Sequence, residues 1–321
     1  MRFDKIGDGR YILQEPLGEG RFAVVHRAQD AHLERSVAIK LLRDEHVGGD
    51  PKWREAFDIE VELLQTLVDL PTVVTMIDHG VALDGRSYIS LELLPAGTDL
   101  LSIVTYQGGF AEEDGLPIAW QLADLLRTAH ARDIAYRDLK LEHIFWSDDQ
   151  IILIDWNVSR KFSADGPPGD DPVLQWEKER SFQGDLFKLG TMFYSMFTGL
   201  DIRDRRVPTP VYSQLKDSGF DVTDEGIVWP VDFADVSLSP ELEEIILRLV
   251  HIDLDQRYRS ATAVCEALEE HARRLDIVLV QPTAVAGLPT APPTEPPSPP
   301  SGWSLKGWLA RLGRWWDGAR R

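Results

Sequence analysis

The chain has 321 residues, of which 43% are hydrophobic and 27% are charged. These proportions are typical of a globular protein with a buried core, so they exclude a mostly disordered chain. The formal net charge of −19 argues against binding to nucleic acid, because an acidic surface repels a phosphate backbone.

The cellular compartment is indicated by cysteine content and hydropathy. The single cysteine, Cys265, excludes an intrachain disulfide and favours a reducing compartment. The first residues, MRFDKIGDGR, lack the apolar core of a signal peptide, and the sequence has no run of about 20 apolar residues to span a bilayer. We therefore expect a cytoplasmic protein.

Short strands are predicted in the first third of the chain. They follow the segments YILQEPL, VVHRAQD and SVAIKLL between residues 11 and 42, and then VVTMIDHG at 73–80 and SYISLELL at 87–94. Residues 52–68 are predicted to form an amphipathic helix between these two groups of strands. Its apolar residues fall near one face: Phe57, Val61, Leu64 and Leu67.

The pattern becomes mainly helical from about residue 98, with the clearest helices at 118–132, 186–199 and 241–250. Strands followed by helices predict an α+β fold with two lobes. The strand-rich N-lobe covers about 1–94 and the helical C-lobe about 98–276, within one domain at 1–276.

Two further segments follow this domain. Residues 282–301 are rich in proline and are expected to form an extended linker. Residues 302–321 form a separate tail that is rich in tryptophan and basic side chains. Five basic and two acidic residues lie between residue 281 and the end, so the negative charge belongs to the preceding domain.

A turn with two glycines separates the first two predicted strands. Gly18 and Gly20 lie between apolar strands, which predicts a hairpin and not the strand-to-helix turn of a dinucleotide-binding fold. Glycines let the backbone approach a phosphate closely and direct N–H groups at it. The turn is therefore read either as a phosphate-binding loop or as a plain hairpin.

A lysine and a glutamate follow this turn. Lys40 ends the segment VAIK on the next strand, and Glu60 lies on the predicted helix. A lysine that points into a cleft needs a carboxylate to hold it against phosphates, and a helix glutamate can provide one. Taken singly, either side chain would more often be a charge in solvent.

The order and spacing of several motifs resemble the signature set of the eukaryotic-like serine/threonine protein kinase family. They are the glycine loop, VAIK, the helix glutamate, YRDLK at 136–140 and IDWN at 154–157. Segments at Asp185 and Arg257 resemble later motifs of the same family, so the resemblance covers about residues 11–272. It implies a two-lobed protein-kinase-like fold and an ATP-dependent phosphotransferase.

The resemblance also implies roles for individual residues around the phosphates of ATP. Lys40 would contact the α- and β-phosphates and pair with Glu60. Asp138 would orient the attacking hydroxyl, and Lys140 would steady the γ-phosphate. Lys140 stands two residues after Asp138, which matches the serine/threonine branch of the family. Asp155 would hold Mg²⁺.

The adenine site is implied by the same resemblance. The carbonyl group of Glu92 and the N–H group of Leu94 would meet the adenine edge, with Leu91 behind it. Val25 and Ala38 would cover the ring. Together with Gly18 and Gly20, these residues complete the expected ATP-binding set.

His143 departs from the family pattern, because it occupies the position of the second metal-binding asparagine. Imidazole nitrogen suits Mn²⁺ or Zn²⁺ better than Mg²⁺, which prefers oxygen. His143 is therefore a candidate metal ligand beside Asp155, with Mg²⁺ expected and Mn²⁺ as the alternative. A degenerate site is the competing interpretation. Bacterial lipopolysaccharide sugar kinases look similar here, with a histidine five residues after the catalytic aspartate, and they phosphorylate their substrates.

A second departure concerns the segment that usually supports a peptide substrate. Only 29 residues separate Asp155 from Asp185, and no Ala-Pro-Glu motif precedes Asp185. Arg257 would then need Glu177 or Glu179 as its ion-pair partner. Three functions remain open: a serine/threonine-type kinase, a pseudokinase that binds nucleotide as a scaffold, and a kinase of a saccharide or small membrane-associated substrate.

The tail has the pattern of an amphipathic helix. At 100° per residue, one face collects its large apolar residues: Leu305, Trp308, Leu309, Leu312, Trp315 and Trp316. Lys306, Arg311 and Arg314 fall opposite. Twelve helical residues span about 18 Å, which is too short to cross a bilayer but suits its interface. Peripheral contact with the inner face of the membrane, docking onto a protein surface, and disorder are the alternatives.

Overall fold

Six strands form one antiparallel sheet in the first part of the chain. The computed structural model describes residues 5–162, 172–200, 238–251 and 253–283. The strands of the sheet are β1 (Lys5–Ile6), β2 (Tyr11–Glu19), β3 (Ala23–Asp30), β4 (Arg35–Leu42), β5 (Met76–Val81) and β6 (Ser87–Glu92). Their order is β1-β2-β3-β4-β6-β5. The predicted strands are present, and β1 is an additional strand of two residues that is too short to leave a periodic pattern.

The alternation of side chains along β4 decides which residues face the helical side of the sheet. Val37, Ile39 and Leu41 belong to an apolar cluster on the outer face. Ala38 belongs to the main core on the other face, and Lys40 shares that face because side chains alternate along a strand. A basic side chain is thereby directed into the interior between the sheet and the next helix.

Helix α1 (Lys52–Thr66) covers this inner face of the sheet. It ends two residues before the predicted end, with Leu67 at its C-cap. Phe57 and Leu64 are buried in the main core. Glu60 lies three residues after Phe57 and four before Leu64, so it occupies the same buried face of the helix.

Five helices make up most of the remaining described chain: α2 (Leu100–Gln107), α3 (Glu112–Ala131), α4 (Pro172–Thr198), α5 (Pro240–Leu249) and α6 (Ala261–Arg274). The helices predicted at 118–132 and 186–199 begin earlier than expected, at Glu112 and Pro172. Helix α2 was missed because eight residues are too few for a clear period. The strand-rich and helical parts confirm the predicted two-lobed α+β fold.

Local chemistry accounts for several helix ends. Asp99 caps α2 by accepting a hydrogen bond from the Ser102 N–H at 2.8 Å, and Ser239 and Ser260 cap α5 and α6 in the same way. Acidic residues at 112–114 occupy the first turn of α3, where they complement the helix dipole. None of the described helices is long and apolar enough to cross a membrane.

A small hairpin carries the residues that face the sheet from the helical lobe. Strand β8 (Ile144–Ser147) pairs with β9 (Gln150–Leu153), and Ile144 lies opposite Leu153. The residues just outside this pair continue the register, because the Ile154 N–H donates to the His143 carbonyl at 2.9 Å. His143 and Asp155 are therefore held at the same open end of one hairpin.

Two other strands of two residues each form the last of the described sheets. Strand β7 (Ile134–Ala135) pairs with β10 (Arg160–Lys161). The predicted tail at 302–321 and all but the first two residues of the proline-rich linker lie outside the described residues.

Arg10 and Asp30 form a partly buried ion pair that fastens the start of β2 to the end of β3. The guanidinium lies 2.8 Å from the Asp30 carboxylate, which also accepts from the backbone N–H groups of His32 and Leu33. Burial raises the pKa of Asp30, but these donors outweigh it, so the pKa lies below its ordinary value. The carboxylate is therefore stabilised in its ionised form.

We expect the substitution Asp30→Asn to lower the free energy of unfolding by about 2 kcal/mol at neutral pH, because it removes a buried carboxylate that accepts from Arg10 and from two backbone N–H groups. A lowered folded-state pKa stabilises the protein fully above the unfolded-state pKa of about 3.9, and this stabilisation is lost as the pH falls through the folded-state pKa. The difference between wild type and variant should therefore shrink in acid. Urea unfolding at neutral pH and below the ordinary aspartate pKa measures it.

Asp84→Asn is the matched control for this prediction. Asp84 pairs with Arg86 at 2.6 Å, but its side chain is 48% exposed. Exposed pairs contribute less than about 1 kcal/mol. A loss of stability in Asp30→Asn that equals the loss in Asp84→Asn at neutral pH would contradict the prediction.

Candidate active site

One ammonium group joins the sheet, helix α1 and the segment after β9. The Lys40 Nζ atom lies 2.6 Å from Glu60 Oε2 and 2.6 Å from Asp155 Oδ1. The side chains of Lys40 and Glu60 are 7% and 1% exposed, whereas that of Asp155 is 29% exposed. The arrangement therefore opens toward solvent on the Asp155 side.

The electrostatics of this group follow from burial and from the excess of carboxylates. Burial disfavours the charge of Lys40, but Glu60 and Asp155 outweigh it and raise its pKa. Burial raises the pKa of Glu60. Burial acts in the same direction on Asp155, but Lys40 outweighs it and the pKa of Asp155 is lowered. Asp155 is thus the carboxylate that stays ionised at the open side.

The loop at 136–140 is held by a buried aspartate of helix α4. Asp185 accepts from the backbone N–H of Tyr136 at 2.9 Å and from that of Arg137 at 2.7 Å. Its carboxylate is fully buried and also lies 2.9 Å from His130 Nε2. These contacts fix the loop at Arg137, where the backbone has a positive φ of 71°. The next residue, Asp138, is directed to the surface of the site.

Asp138 and Lys140 form an ion pair at the surface of the site. The Lys140 Nζ atom lies 2.8 Å from Asp138 Oδ2. The side chain of Lys140 is 43% exposed and that of Asp138 is 28% exposed. A carboxylate and an ammonium group side by side can accept a hydrogen bond from a hydroxyl and attract a phosphate. Both groups are exposed enough to be reached by a substrate.

His143 lies between this loop and Asp155. Its Nε2 atom is 3.7 Å from Asp155 Oδ2, and its Nδ1 atom is 3.1 Å from both the Tyr136 hydroxyl and the Asp138 carbonyl. The side chain is 12% exposed. The two metal ligands predicted from the sequence are therefore neighbours at the open end of the β8–β9 hairpin.

The distance between these two ligands fits a shared divalent cation. Nitrogen and carboxylate oxygen lie about 2.0–2.2 Å from such ions, so two ligands of one ion can be up to about 4.2 Å apart. The 3.7 Å separation of His143 Nε2 and Asp155 Oδ2 is within this limit. The described residues contain no cluster of three or more metal-ligating side chains. Two protein ligands suit a cation that a nucleotide also holds through its phosphates.

Asn157 is a contact that sequence reasoning missed. Its Nδ2 group donates to Asp155 Oδ1, which is the oxygen that Lys40 also contacts. The backbone adopts a positive φ of 62° at Asp155. Asn157 therefore acts through its side chain, and leaves Asp155 Oδ2 as the oxygen that faces His143.

The expected adenine residues lie where the sheet meets the helical part. Ala38 and Leu91 are buried and lie opposite each other in the β4–β6 register. The Glu92 side chain accepts from the Thr75 N–H at 2.7 Å, and the Glu92 N–H donates to the Thr75 carbonyl at 3.0 Å. Leu94 follows the end of β6 and is half-buried.

The glycine turn forms the expected hairpin between β2 and β3. Gly18 lies opposite Val25, and the Gly20 N–H donates to the Ala23 carbonyl at 2.8 Å. Among the described residues, the space beside the Gly18 Cα atom is open.

Aromatic residues connect this turn to helix α1, a contact that the sequence pattern did not reveal. Phe22 stacks on Trp53, with ring centroids 5.8 Å apart, and the Lys40 Nζ atom lies 5.8 Å from the centroid of Phe22. Phe22 comes from the turn and Trp53 from the second residue of α1. The conformation of the turn is thereby coupled to the helix that carries Glu60.

The two suggested partners of Arg257 are engaged elsewhere. Glu177 pairs with Arg160 at 3.0 Å, and Glu179 accepts from Gln175 at 2.6 Å. Arg257 donates to the carbonyl groups of His251 and Gln183. Burial lowers the pKa of Arg257 to about 10. Backbone carbonyls thus supply part of the environment that the sequence led us to expect from a glutamate.

The fold and the site combine two lobes, a paired lysine under the sheet and an aspartate loop in the helical part, which are the features that the resemblance to protein kinases implies. Comparison with known families agrees. The family model described as "Protein kinase domain" matches residues 11–269. The chain belongs to the protein kinase family.

Individual relatives extend this comparison. The chain is 26% identical to serine/threonine-protein kinase pkn3 of Myxococcus xanthus, over 93% of this chain and 58% of that protein. It is 25% identical to a probable serine/threonine-protein kinase of Clostridium perfringens, over 83% and 39%. It is 24% identical to testis-specific serine/threonine-protein kinase 3 of Mus musculus, over 76% and 90%. The chain spans less than two thirds of the length of both bacterial relatives.

We expect Lys40→Met to weaken ATP binding by about 10- to 100-fold, because hydrogen bonds to charged groups contribute about 1.5–3 kcal/mol. The variant would also leave Glu60 and Asp155 without the cation that they share. Titration calorimetry with ATP and Mg²⁺ measures the affinity.

Lys161→Met provides a matched control, because Lys161 pairs with Glu62 of the same helix at 3.2 Å but lies outside the site. Its affinity for ATP should equal that of the wild type. Equal affinities for Lys40→Met and Lys161→Met would contradict the role of Lys40.

Proposed function

We propose that this chain is an ATP-dependent serine/threonine protein kinase, which transfers the terminal phosphoryl group of ATP to a hydroxyl group. The observation that carries the proposal is the Lys40 ammonium group, 2.6 Å from both Glu60 and Asp155. Phosphoryl transfer depends mainly on positioning and on neutralising charge. A buried lysine fixed by two carboxylates provides a positive charge that does not have to reorganise during the reaction.

The remaining catalytic roles follow from the exposed ion pair of the loop. Asp138 would accept a hydrogen bond from the substrate hydroxyl and so orient its oxygen toward the γ-phosphate. Lys140, at 2.8 Å from Asp138, would attract that phosphate and hold it near the hydroxyl. Asp138 would thus act on the hydroxyl group that receives the phosphoryl group, and Lys140 would act on the γ-phosphate that is transferred.

ATP would bind between the glycine turn and the strands below it. Backbone N–H groups near Gly18 and Gly20 would approach the phosphates, and Val25 and Ala38 would cover the adenine ring. The Glu92 carbonyl and the Leu94 N–H would receive its polar edge. This assignment is supported by the position of Leu94 two residues after the end of β6 and by the family membership of the chain.

His143 and Asp155 are proposed to hold the divalent cation that accompanies ATP, with Mg²⁺ as the expected ion and Mn²⁺ as the alternative. Bound there, the cation would neutralise charge on the phosphates. Asp155 contributes an ionised oxygen at the open side of the site, and Asn157 and Lys40 hold the other oxygen in place.

We expect Asp138→Asn to reduce phosphoryl transfer by about 10²- to 10⁴-fold, because it removes the acceptor of the hydroxyl proton. The affinity for ATP should stay within about twofold, since Asp138 does not contact Lys40. Label transfer from γ-labelled ATP to histone and to the chain itself, in Mg²⁺ and in Mn²⁺, measures the first quantity, and calorimetry the second.

Asp148→Asn is the matched control, because Asp148 lies exposed in the turn of the β8–β9 hairpin and asparagine tolerates its positive φ of 52°. Its transfer rate should equal that of the wild type. ATP binding without transfer by the wild type, in either metal, would overturn the kinase proposal and leave a nucleotide-binding scaffold. Transfer to a saccharide but to neither protein would place the substrate in another class.

For localisation, we propose a cytoplasmic protein whose residues 302–321 contact anionic lipid at the inner face of the membrane. The support is the sequence pattern alone, which places large apolar side chains on one helical face and basic ones opposite. Basic side chains attract anionic headgroups, and tryptophan favours the interface between headgroups and acyl chains. Binding to a protein surface is the competing outcome.

We expect the full-length double variant Trp315→Ser/Trp316→Ser to bind vesicles containing phosphatidylserine at least about tenfold more weakly than the wild type, because burial of each aromatic side chain contributes about 1.5–3 kcal/mol. Trp303→Ser is the control, since Trp303 falls on the opposite face of the predicted helix. Sedimentation with vesicles measures binding. Equal sedimentation of all three proteins would refute membrane contact through this face.

A further inference from the structure

The Tyr136 hydroxyl occupies the space between the catalytic loop and the hairpin that carries the metal ligands. It donates its proton to the Ile154 carbonyl at 2.6 Å. A phenol has only one proton to donate. Toward any other neighbour, the Tyr136 oxygen can therefore only accept.

That other neighbour is His143 Nδ1, which lies 3.1 Å from the Tyr136 oxygen. The same nitrogen lies 3.1 Å from the Asp138 carbonyl oxygen, which also can only accept. Two acceptors around one nitrogen require that the nitrogen carry a hydrogen. In a neutral imidazole the other nitrogen, Nε2, then carries the lone pair.

The lone pair of Nε2 faces Asp155. The 3.7 Å between Nε2 and Asp155 Oδ2 is too long for a direct hydrogen bond. Asp155 Oδ1 is occupied by Lys40 and Asn157, so Oδ2 is the oxygen left to face His143. A nitrogen lone pair and a carboxylate oxygen thus lie side by side, at a separation that one cation can bridge.

We propose that the Tyr136 hydroxyl is a positioning group for His143: with the Asp138 carbonyl, it holds the imidazole as the Nδ1–H tautomer and presents Nε2 to a divalent cation beside Asp155. The metal-binding role of this arrangement rests on the proposed function of the chain as an ATP-dependent kinase. The tautomer of His143 does not depend on that function. Partners that orient a histidine ligand typically change metal affinity by 10- to 100-fold.

The packing of the tyrosine ring separates this role from a merely structural one. The Tyr136 ring contacts Trp156 edge to face, with centroids 4.8 Å apart, and its backbone is held by Asp185. Phenylalanine would keep both contacts and would remove only the hydroxyl. Tyr136→Phe therefore tests the hydrogen bond without removing the ring from the core.

The first experiment measures the tautomer in the full chain without nucleotide or metal. Nitrogen chemical shifts of isotope-labelled histidine, recorded at mildly alkaline pH, distinguish the two neutral tautomers, and the signal lost in His143→Asn identifies His143. We expect the Nδ1–H tautomer. The Nε2–H tautomer in the wild type would overturn the proposal, whether or not the protein is a kinase.

The second experiment measures Mn²⁺ affinity by electron paramagnetic resonance, with the chain saturated by a non-hydrolysable ATP analogue. We expect about tenfold weaker Mn²⁺ binding in Tyr136→Phe than in the wild type. The control is Tyr11→Phe, which removes another buried tyrosine hydroxyl, one that donates to Asp78 far along the sheet. Its Mn²⁺ affinity should be unchanged.

The outcomes of the two experiments distinguish this proposal from the kinase proposal. Equal Mn²⁺ affinity in Tyr136→Phe and wild type would overturn the positioning role, even if phosphoryl transfer is observed. A wild-type chain that binds the nucleotide analogue but no Mn²⁺ would also overturn it. Failure to bind the nucleotide analogue would count against the proposed function, and the tautomer measurement would still decide the state of His143.

Discussion

Lys40 is the group on which the geometry of the site depends, because three separate parts of the chain meet at its ammonium. Strand β4 supplies the lysine, α1 supplies Glu60, and the segment after β9 supplies Asp155. A buried charge is stable only when it is paired. The pairing therefore constrains the helix, the sheet and the hairpin at once, and a displacement of any of them would leave a charge buried without its partner.

The second constraint is the β8–β9 hairpin, because it fixes the position of His143, the residue that departs from the family pattern. His143 precedes one strand and Asp155 follows the other, so their side chains meet at the open end of the hairpin. Tyr136 connects the same point to the catalytic loop through its hydroxyl. The tyrosine and the histidine are thus neighbours in one hydrogen-bonded unit.

Sequence periodicity was most informative where elements are long or regular. The strands of the sheet and helix α1 are present near their predicted positions, because alternation and the 3.6-residue period are strong there. The starts of α3 and α4 lie 6 and 14 residues before the predicted ones, since polar first turns lack an apolar period. Helix α2 is too short to leave a clear period. The contact of Phe22 with Trp53 depends on a neighbour distant in sequence, which no local pattern records.

The sequence by itself determined the two-lobed fold class, the family and the identity of the charged residues, because motif order and side-chain chemistry are local properties. Only the tertiary structure decided that Lys40 is shared equally between Glu60 and Asp155, that Asn157 acts through its side chain, and that the Tyr136 hydroxyl contacts His143. These facts depend on side-chain geometry, and the contact between Lys40 and Asp155 joins residues 115 positions apart. Such distances are set by packing of the lobes around one core and are absent from the order of residues.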